Sequence, residues 1–168
     1  MQSVHDLDRH QKELFGSAEV NLKNAALTFD DVLLIPQYSK VESRSDVNLS
    51  QNLGSNIKLK IPIISSPMDT VTERDMVCAM SDVGGLGVIH RYLSLMEQAE
   101  MAFRCSERGV KNIAAAIGVT GDYLIRAEAL VNIGKANILC LDVAHGHHVL
   151  VERALKSLKD IYGESVHL

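Results

Sequence analysis

Aromatic residues are scarce in this chain: four tyrosines, three phenylalanines and no tryptophan, 4% of 168 residues. That shortage removes the stacking platforms on which single-stranded nucleic acid is usually held. Basic charge is not in excess either. Seventeen lysines and arginines against 21 acidic residues leave a net charge of −4, without the dense basic run that nucleic-acid binding calls for. A small anionic ligand is not excluded, because amides at helix starts hold phosphate without basic side chains. Cysteine is equally thin. Cys78, Cys105 and Cys140 are odd in number and widely spaced, which excludes a disulfide scaffold or a zinc knuckle. They read as reduced, structural thiols, in keeping with a cytoplasmic setting. No run approaches the ~20 apolar residues of a membrane span, and the polar opening MQSVHDLDRHQK is not a signal peptide. No G-x-G-x-x-G follows a strand-like run, so the dinucleotide fold lacks its main signature. The 168 residues also fall short of a closed (β/α)8 barrel, which typically needs about 250.

What is present is a rhythm. Short apolar runs occur at IPIIS (61–65), LGVIH (86–90), NIAAAIGV (112–119) and ANILCLDVA (136–144). Their length and β-branched content predict buried strands. A fifth run begins at Val166–Leu168. Helix signals fill the intervals. Thr72 is placed to cap the first helix, with Asp75 near its positive end and Met76, Val77, Met80 and Val83 on its apolar side. Ser94 and Glu97 fit a capping box ahead of Ala99, Ala102 and Phe103. Asp122 precedes Leu124, Ala127, Leu130 and Val131, and Gly134 is placed to stop that helix at positive φ. The fourth carries Leu150, Val151, Ala154, Leu155 and Leu158, with Gly163 beyond it. The class is α/β, with parallel strands and right-handed crossovers. Rhythm alone leaves an open sheet and barrel staves as alternatives.

Three segments are expected: a polar leader or short helix over 1–24, an N-terminal extension over 25–60, and the β/α units over 61–168. The extension holds the apolar VLLI (32–35) and an alternating stretch, 43–60, that predicts short strands.

In parallel β/α units, ligands sit beyond the carboxyl ends of the strands. Ser65-Ser66-Pro67-Met68-Asp69, His90-Arg91, Gly118 and Asp142 through His148 fall there. Asp142 interrupts an apolar run at a strand end. Asp142 and Asp69 either accept ribose hydroxyls or anchor their loops; His90 either serves a ligand or satisfies a buried strand end. Pro67 holds Ser66 extended. The HGHH cluster matches no compact metal-ligand spacing, so no metal site is expected. Gly84, Gly85 and Gly87 read as a turn rather than a phosphate loop. None of the cysteines sits where a nucleophile is activated.

LTFDDVLLIPQYS, IPIISSPMDTVTE, GGLGVIHR, AAIGVTGD and LDVAHGHH, in this order, closely resemble the N-terminal half of the IMP dehydrogenase/GMP reductase family. The resemblance runs from about residue 25 to the end, and MDTVTE with the strand-end AHG makes it specific. It implies a TIM (β/α)8 barrel, here as (β/α)4 plus the start of a fifth strand. It also implies oxidoreductase chemistry on purine nucleoside monophosphates (IMP or GMP) with NAD or NADP. Ser66 and Met68 look like residues lining the mononucleotide site. Asp142 looks like the carboxylate at the nicotinamide ribose, and His147 lies in the loop that approaches the cofactor. Asp69, His90 and Gly118 look like pocket supports.

Two departures follow. Many dehydrogenases of the family carry a paired regulatory CBS domain between the second helix and third strand. Here only Glu107 to Lys111 bridges that point, as in the reductases. Ser43 to Val47 resembles the reductase branch, whereas SSPMDTVTE and AHGHH resemble the dehydrogenase branch. The second departure concerns the cysteine that attacks C2 of the purine: it belongs to the family's C-terminal half and matches none of Cys78, Cys105 and Cys140. The chain alone is therefore expected to be inactive. The alternatives are a non-catalytic half-barrel module, pairing with itself or with a complementary half, and a truncated gene product. Neither a nucleic-acid partner nor a membrane is expected.

Overall fold

Buried apolar strands need cover on both faces, and the chain supplies it with helices on one side and a hairpin on the other. The computed structural model describes residues 26–54 and 57–168; the leader expected over 1–24 lies outside them. Two compact units divide at Arg44/Ser45. In the first, the Thr28 amide and hydroxyl both donate to the Asp31 carboxylate, at 3.0 and 2.9 Å. The side chains of Phe29, Leu33 and Leu34 are exposed there.

The second unit opens with an antiparallel pair, β1 (Gln51–Asn52) and β2 (Lys58–Leu59). Four parallel strands follow in chain order: β3 (Ile64–Ser65), β4 (Leu86–Ile89), β5 (Ala114–Ile117) and β6 (Ile138–Leu141). Helices α1 (Arg74–Val83), α2 (Leu95–Glu107), α3 (Tyr123–Asn132) and α4 (Val149–Tyr162) alternate with them. This is about half of a (β/α)8 barrel. His167 bridges to Ile138 in parallel, so the fifth strand begins where expected.

On one face, Ile89, Ala115, Ile117 and Leu139 pack against Val77, Ala102, Leu130 and Leu158 of the helices. On the other, Leu86, Val88, Ala114, Ala116 and Ile138 are covered by Ile57 and Leu59 from the hairpin. Small alanines on β5 leave the room those larger side chains fill. Only the middle of the sheet is dry. β3 is an edge, and Ile63 and Ile64 are about half exposed (55% and 48%), unlike the buried strand expected over 61–65. Met76 and Val83 are exposed too, so α1 buries a narrower stripe than its composition suggests, centred on Val77.

Two local expectations are corrected. Thr72 does not cap α1: Glu73 is the N-cap, without a side-chain cap bond. The Thr72 hydroxyl instead donates to the Ser66 carbonyl at 2.6 Å and lies 2.9 Å from the Ser65 hydroxyl. Gly134 does not stop α3 through positive φ; that conformation falls on Lys135, at 59°. A Cβ at Gly134 would lie 2.8 Å from the Leu130 carbonyl, 2.9 Å from the Ala102 Cβ and 3.0 Å from the Ala99 carbonyl. The glycine is there for close packing against α2. The Ser94–Glu97 capping box forms as read, and Gly163 caps α4 at φ 58°.

Gly134→Ala is expected to lower unfolding stability by about 1–3 kcal/mol, because two of the three contacts are backbone oxygens that cannot step aside. Ser94→Ala is expected to cost ~1 kcal/mol. Urea denaturation of each variant measures both.

Candidate functional site

The carboxyl ends of β4, β5 and β6 bring together side chains far apart in sequence. Arg91, just past β4, donates from Nε to Asp142 Oδ2 at 3.2 Å, just past β6. Asp142 is itself placed by its amide bond to the Ile117 carbonyl, at 2.9 Å. Between them, after β5, lies Gly118, where a Cβ would come within 3.9 Å of Arg91 Nη1. The pair is partly exposed, so its electrostatic worth is modest. Its geometric effect is to hold one carboxylate oxygen while Oδ1 has no protein partner among the described residues.

His90, the residue before Arg91, is buried, 1% exposed. Its Nδ1 accepts the Tyr92 amide at 3.2 Å, and its Nε2 lies 3.3 Å from Glu73 Oε1. That pattern assigns a neutral ring with the hydrogen on Nε2, donating to Glu73. The loop after β3 folds on itself: the Ser66 carbonyl accepts the Met68 amide at 2.8 Å, and the Met68 carbonyl accepts the Thr72 amide at 2.9 Å. Ser66, Met68 and Asp69 are exposed on that loop. His147 is exposed before α4 and makes no hydrogen bond among the described residues. Its neighbour His148 is used structurally, its Nδ1 accepting the Leu150 amide at 3.1 Å. Arg91, Asp142 and Gly118 thus come together at the strand ends, with His90 buried next in sequence to Arg91, while Ser66, Met68, Asp69 and His147 stand on the flanking loops.

The residues that fix this arrangement include three that the motifs did not single out. Gln98 of α2, fully buried, donates its amide to the His90 carbonyl (3.0 Å) and the Ala116 carbonyl (2.8 Å). Its oxygen accepts from Arg126 Nη1 at 2.9 Å, and Arg126 also reaches the Leu93 carbonyl and the Asp122 carboxylate. Glu73 completes the set through His90. The available signal was Gln98 itself, a polar residue sharing a helix face with buried Ala102 and Cys105 at i+4 and i+7.

The thiols are poorly suited to nucleophilic work. Burial pushes Cys105 up to about 12, with the neighbouring Cys78 thiol adding to the effect. Burial also raises Cys140, and the Asp142 carboxylate raises it further. A cleft of about 620 Å³ lies between α1 and α2, lined by Asp69, Glu73, Arg74, Glu97 and Arg104 among others. It takes only Asp69 from the strand-end set, so the polar convergence lies elsewhere.

Comparison with known proteins gives this geometry a context. The family described as the IMP dehydrogenase / GMP reductase domain matches residues 26–168. An inosine-5'-monophosphate dehydrogenase of Cryptosporidium parvum is 33% identical over 175 aligned residues, covering 79% of this chain and 43% of that protein. One from Nitrosopumilus maritimus is 44% identical over 100 residues, covering 60% of this chain and 21% of that protein. A GMP reductase of Leishmania donovani is 55% identical over 75 residues, covering 45% of this chain and 15% of that protein. The chain spans less than half the length of these relatives.

Gln98→Glu is expected to destabilise by about 1–3 kcal/mol, since the carboxylate keeps Arg126 but can donate to neither strand carbonyl. Urea denaturation reads the loss. Cys105 has a separate signature. A thiol at 9.0 in the unfolded chain and about 12 in the folded one contributes stability that is complete below pH 9.0 and declines as pH rises toward 12. Stability measured across that window is expected to fall, and to fall less steeply in Cys105→Ala.

Proposed function

Since the chain belongs to the IMP dehydrogenase/GMP reductase family, we propose that it supplies the nucleotide- and cofactor-facing half of a nicotinamide-dependent oxidoreductase site for purine nucleoside monophosphates. The observation that carries this reading is the Arg91–Asp142 pair standing over Gly118 at the strand ends. The residues fit the nicotinamide ribose. Asp142 keeps an oxygen free to accept a hydroxyl, and Gly118 offers no Cβ to obstruct close approach. When bound, the nicotinamide supplies hydride transfer. The chain's own part is to bind and orient. Asp142 accepts the ribose hydroxyl while Arg91 holds its carboxylate in place. His147 approaches from the next loop. Ser66 offers a hydroxyl and Met68 a polarisable thioether to the mononucleotide. Asp69 and His90 brace the loops.

None of these groups is a nucleophile, and burial keeps Cys105 and Cys140 as thiols. The 168-residue chain alone is therefore proposed to bind without turning over. Whether the parent activity is dehydrogenase or reductase is decided by paired assays. A second reading, a half-barrel that pairs with another half, is favoured by the exposed edge at Ile63 and Ile64.

The purified chain is expected to form no NADH from NAD and IMP and to consume no NADPH with GMP; either turnover overturns the inactivity. Ligand-observed NMR is expected to detect nucleotide or cofactor binding. Asp142→Ala is expected to weaken cofactor binding by about 1.5–3 kcal/mol, the worth of a hydrogen bond to a charged group. Absence of binding by the parent chain overturns the site assignment.

A further inference from the structure

A second cleft, of about 320 Å³, lies at the opposite end of the strands from Asp142. Lys58, Lys60 and Lys111 line it together with Ser81, Asn112 and the glycine turn that follows α1. The chain as a whole carries a charge of −4, yet no carboxylate is among the lining residues. None of the three ammonium groups makes a hydrogen bond or an ion pair among the described residues. Asp82, the acidic residue beside Ser81, is engaged by Arg108 at 3.8 Å.

The three lysines come from separate segments, and the backbone of each is fixed. Lys58 is paired with Asn52 in the hairpin. The Lys60 amide donates to the Gly84 carbonyl at 2.8 Å. The carbonyl of Lys111 accepts from Asn137 Nδ2 at 3.1 Å. Gly84 does more than turn the chain at φ 82°: a Cβ there would fall 2.5 Å from the Lys60 Cβ and 2.7 Å from its Cγ and Cδ. The Lys60 stem therefore lies directly across the glycine. Val77 and Gly87 form part of the lining behind it. The Gly84 and Gly85 amides bond to the Ser81 and Met80 carbonyls, at 3.0 and 2.8 Å, so they are not a phosphate-cradling loop. Positive charge in this cleft comes from side chains alone.

Three like charges around one cleft repel each other unless a counter-charge joins them, and a compact multivalent anion does so better than scattered monovalent ions. We propose that the cleft formed by Lys58, Lys60 and Lys111 over the Gly84 turn binds a phosphate-bearing small molecule, at a site separate from the strand-end cluster. Lysines serve such a ligand as point charges, so recognition is of charge and size rather than of a planar fork.

Sodium triphosphate is the probe, titrated into the 168-residue chain at low ionic strength and followed by amide NMR shifts. Saturable shifts at Gly84, Gly85, Gly109 and Lys111 are expected, and they weaken as salt is raised. The combined Lys58→Gln, Lys60→Gln and Lys111→Gln variant is expected to lose binding. Lys156→Gln, at a surface lysine paired with Glu152, is expected to retain it. Non-saturable titration of the parent chain, binding retained by the triple variant, or shifts confined to the Arg91 region would each overturn the proposal. The shift map on the parent chain keeps the test decisive even if the triple variant folds poorly.

Discussion

The buried amide of Gln98 is the interaction on which the strand-end geometry depends. It joins α2 to the ends of β4 and β5 through two carbonyl oxygens, and its own oxygen recruits Arg126 from α3. In a low-dielectric interior such a satisfied network is stiff, and every member is costly to orphan. By fixing the His90 carbonyl it fixes where β4 stops and where the chain turns outward. Arg91 then leaves the strand at a point from which it spans β5 and meets Asp142. Gly118, after β5, lies close to Arg91, and its missing side chain adds nothing to obstruct the span.

Close packing behind the sheet makes this possible. Ala99 and Ala102 of α2 face Gly134 at the end of α3, and all three are small where two helices approach closely. The Ser65–Thr72 hydroxyl contact does a comparable job at β3, tying the strand end to the start of α1 while leaving Ser66 and Met68 at the surface. Helix starts, not strand interiors, therefore carry the polar residues that brace the site.

Much of this was legible in the residues. The strand and helix order, the Ser94–Glu97 box and the placement of Asp142, Gly118 and His90 at strand ends follow from patterns of two to seven residues, whereas the chain-order pairing of a barrel was implied only by the family resemblance. What escaped was set by contacts across the fold. Thr72 has the right chemistry for a cap, but the neighbouring strand end competes for its hydroxyl. Gly134 has the right position for a helix stop, but what crowds a Cβ there is the Leu130 carbonyl of α3 together with Ala99 and Ala102 of α2, some thirty residues earlier in the chain. Gln98 is marked by no motif, because its burial is set by the neighbours that cover it. The exposure of Ile63 and Ile64 likewise depends on which strand lies at the edge, which no local pattern encodes.

The chain-order sheet has a kinetic meaning. Each of β4, β5 and β6 pairs with the strand immediately before it, and no later strand is inserted between earlier ones. Contacts therefore stay low in contact order for a parallel sheet, where loop closure is the main entropic cost. Each β/α unit finds its docking surface already built by the unit before it. Such a molecule is able to assemble vectorially as it is synthesised, growing outward from β3 one step at a time.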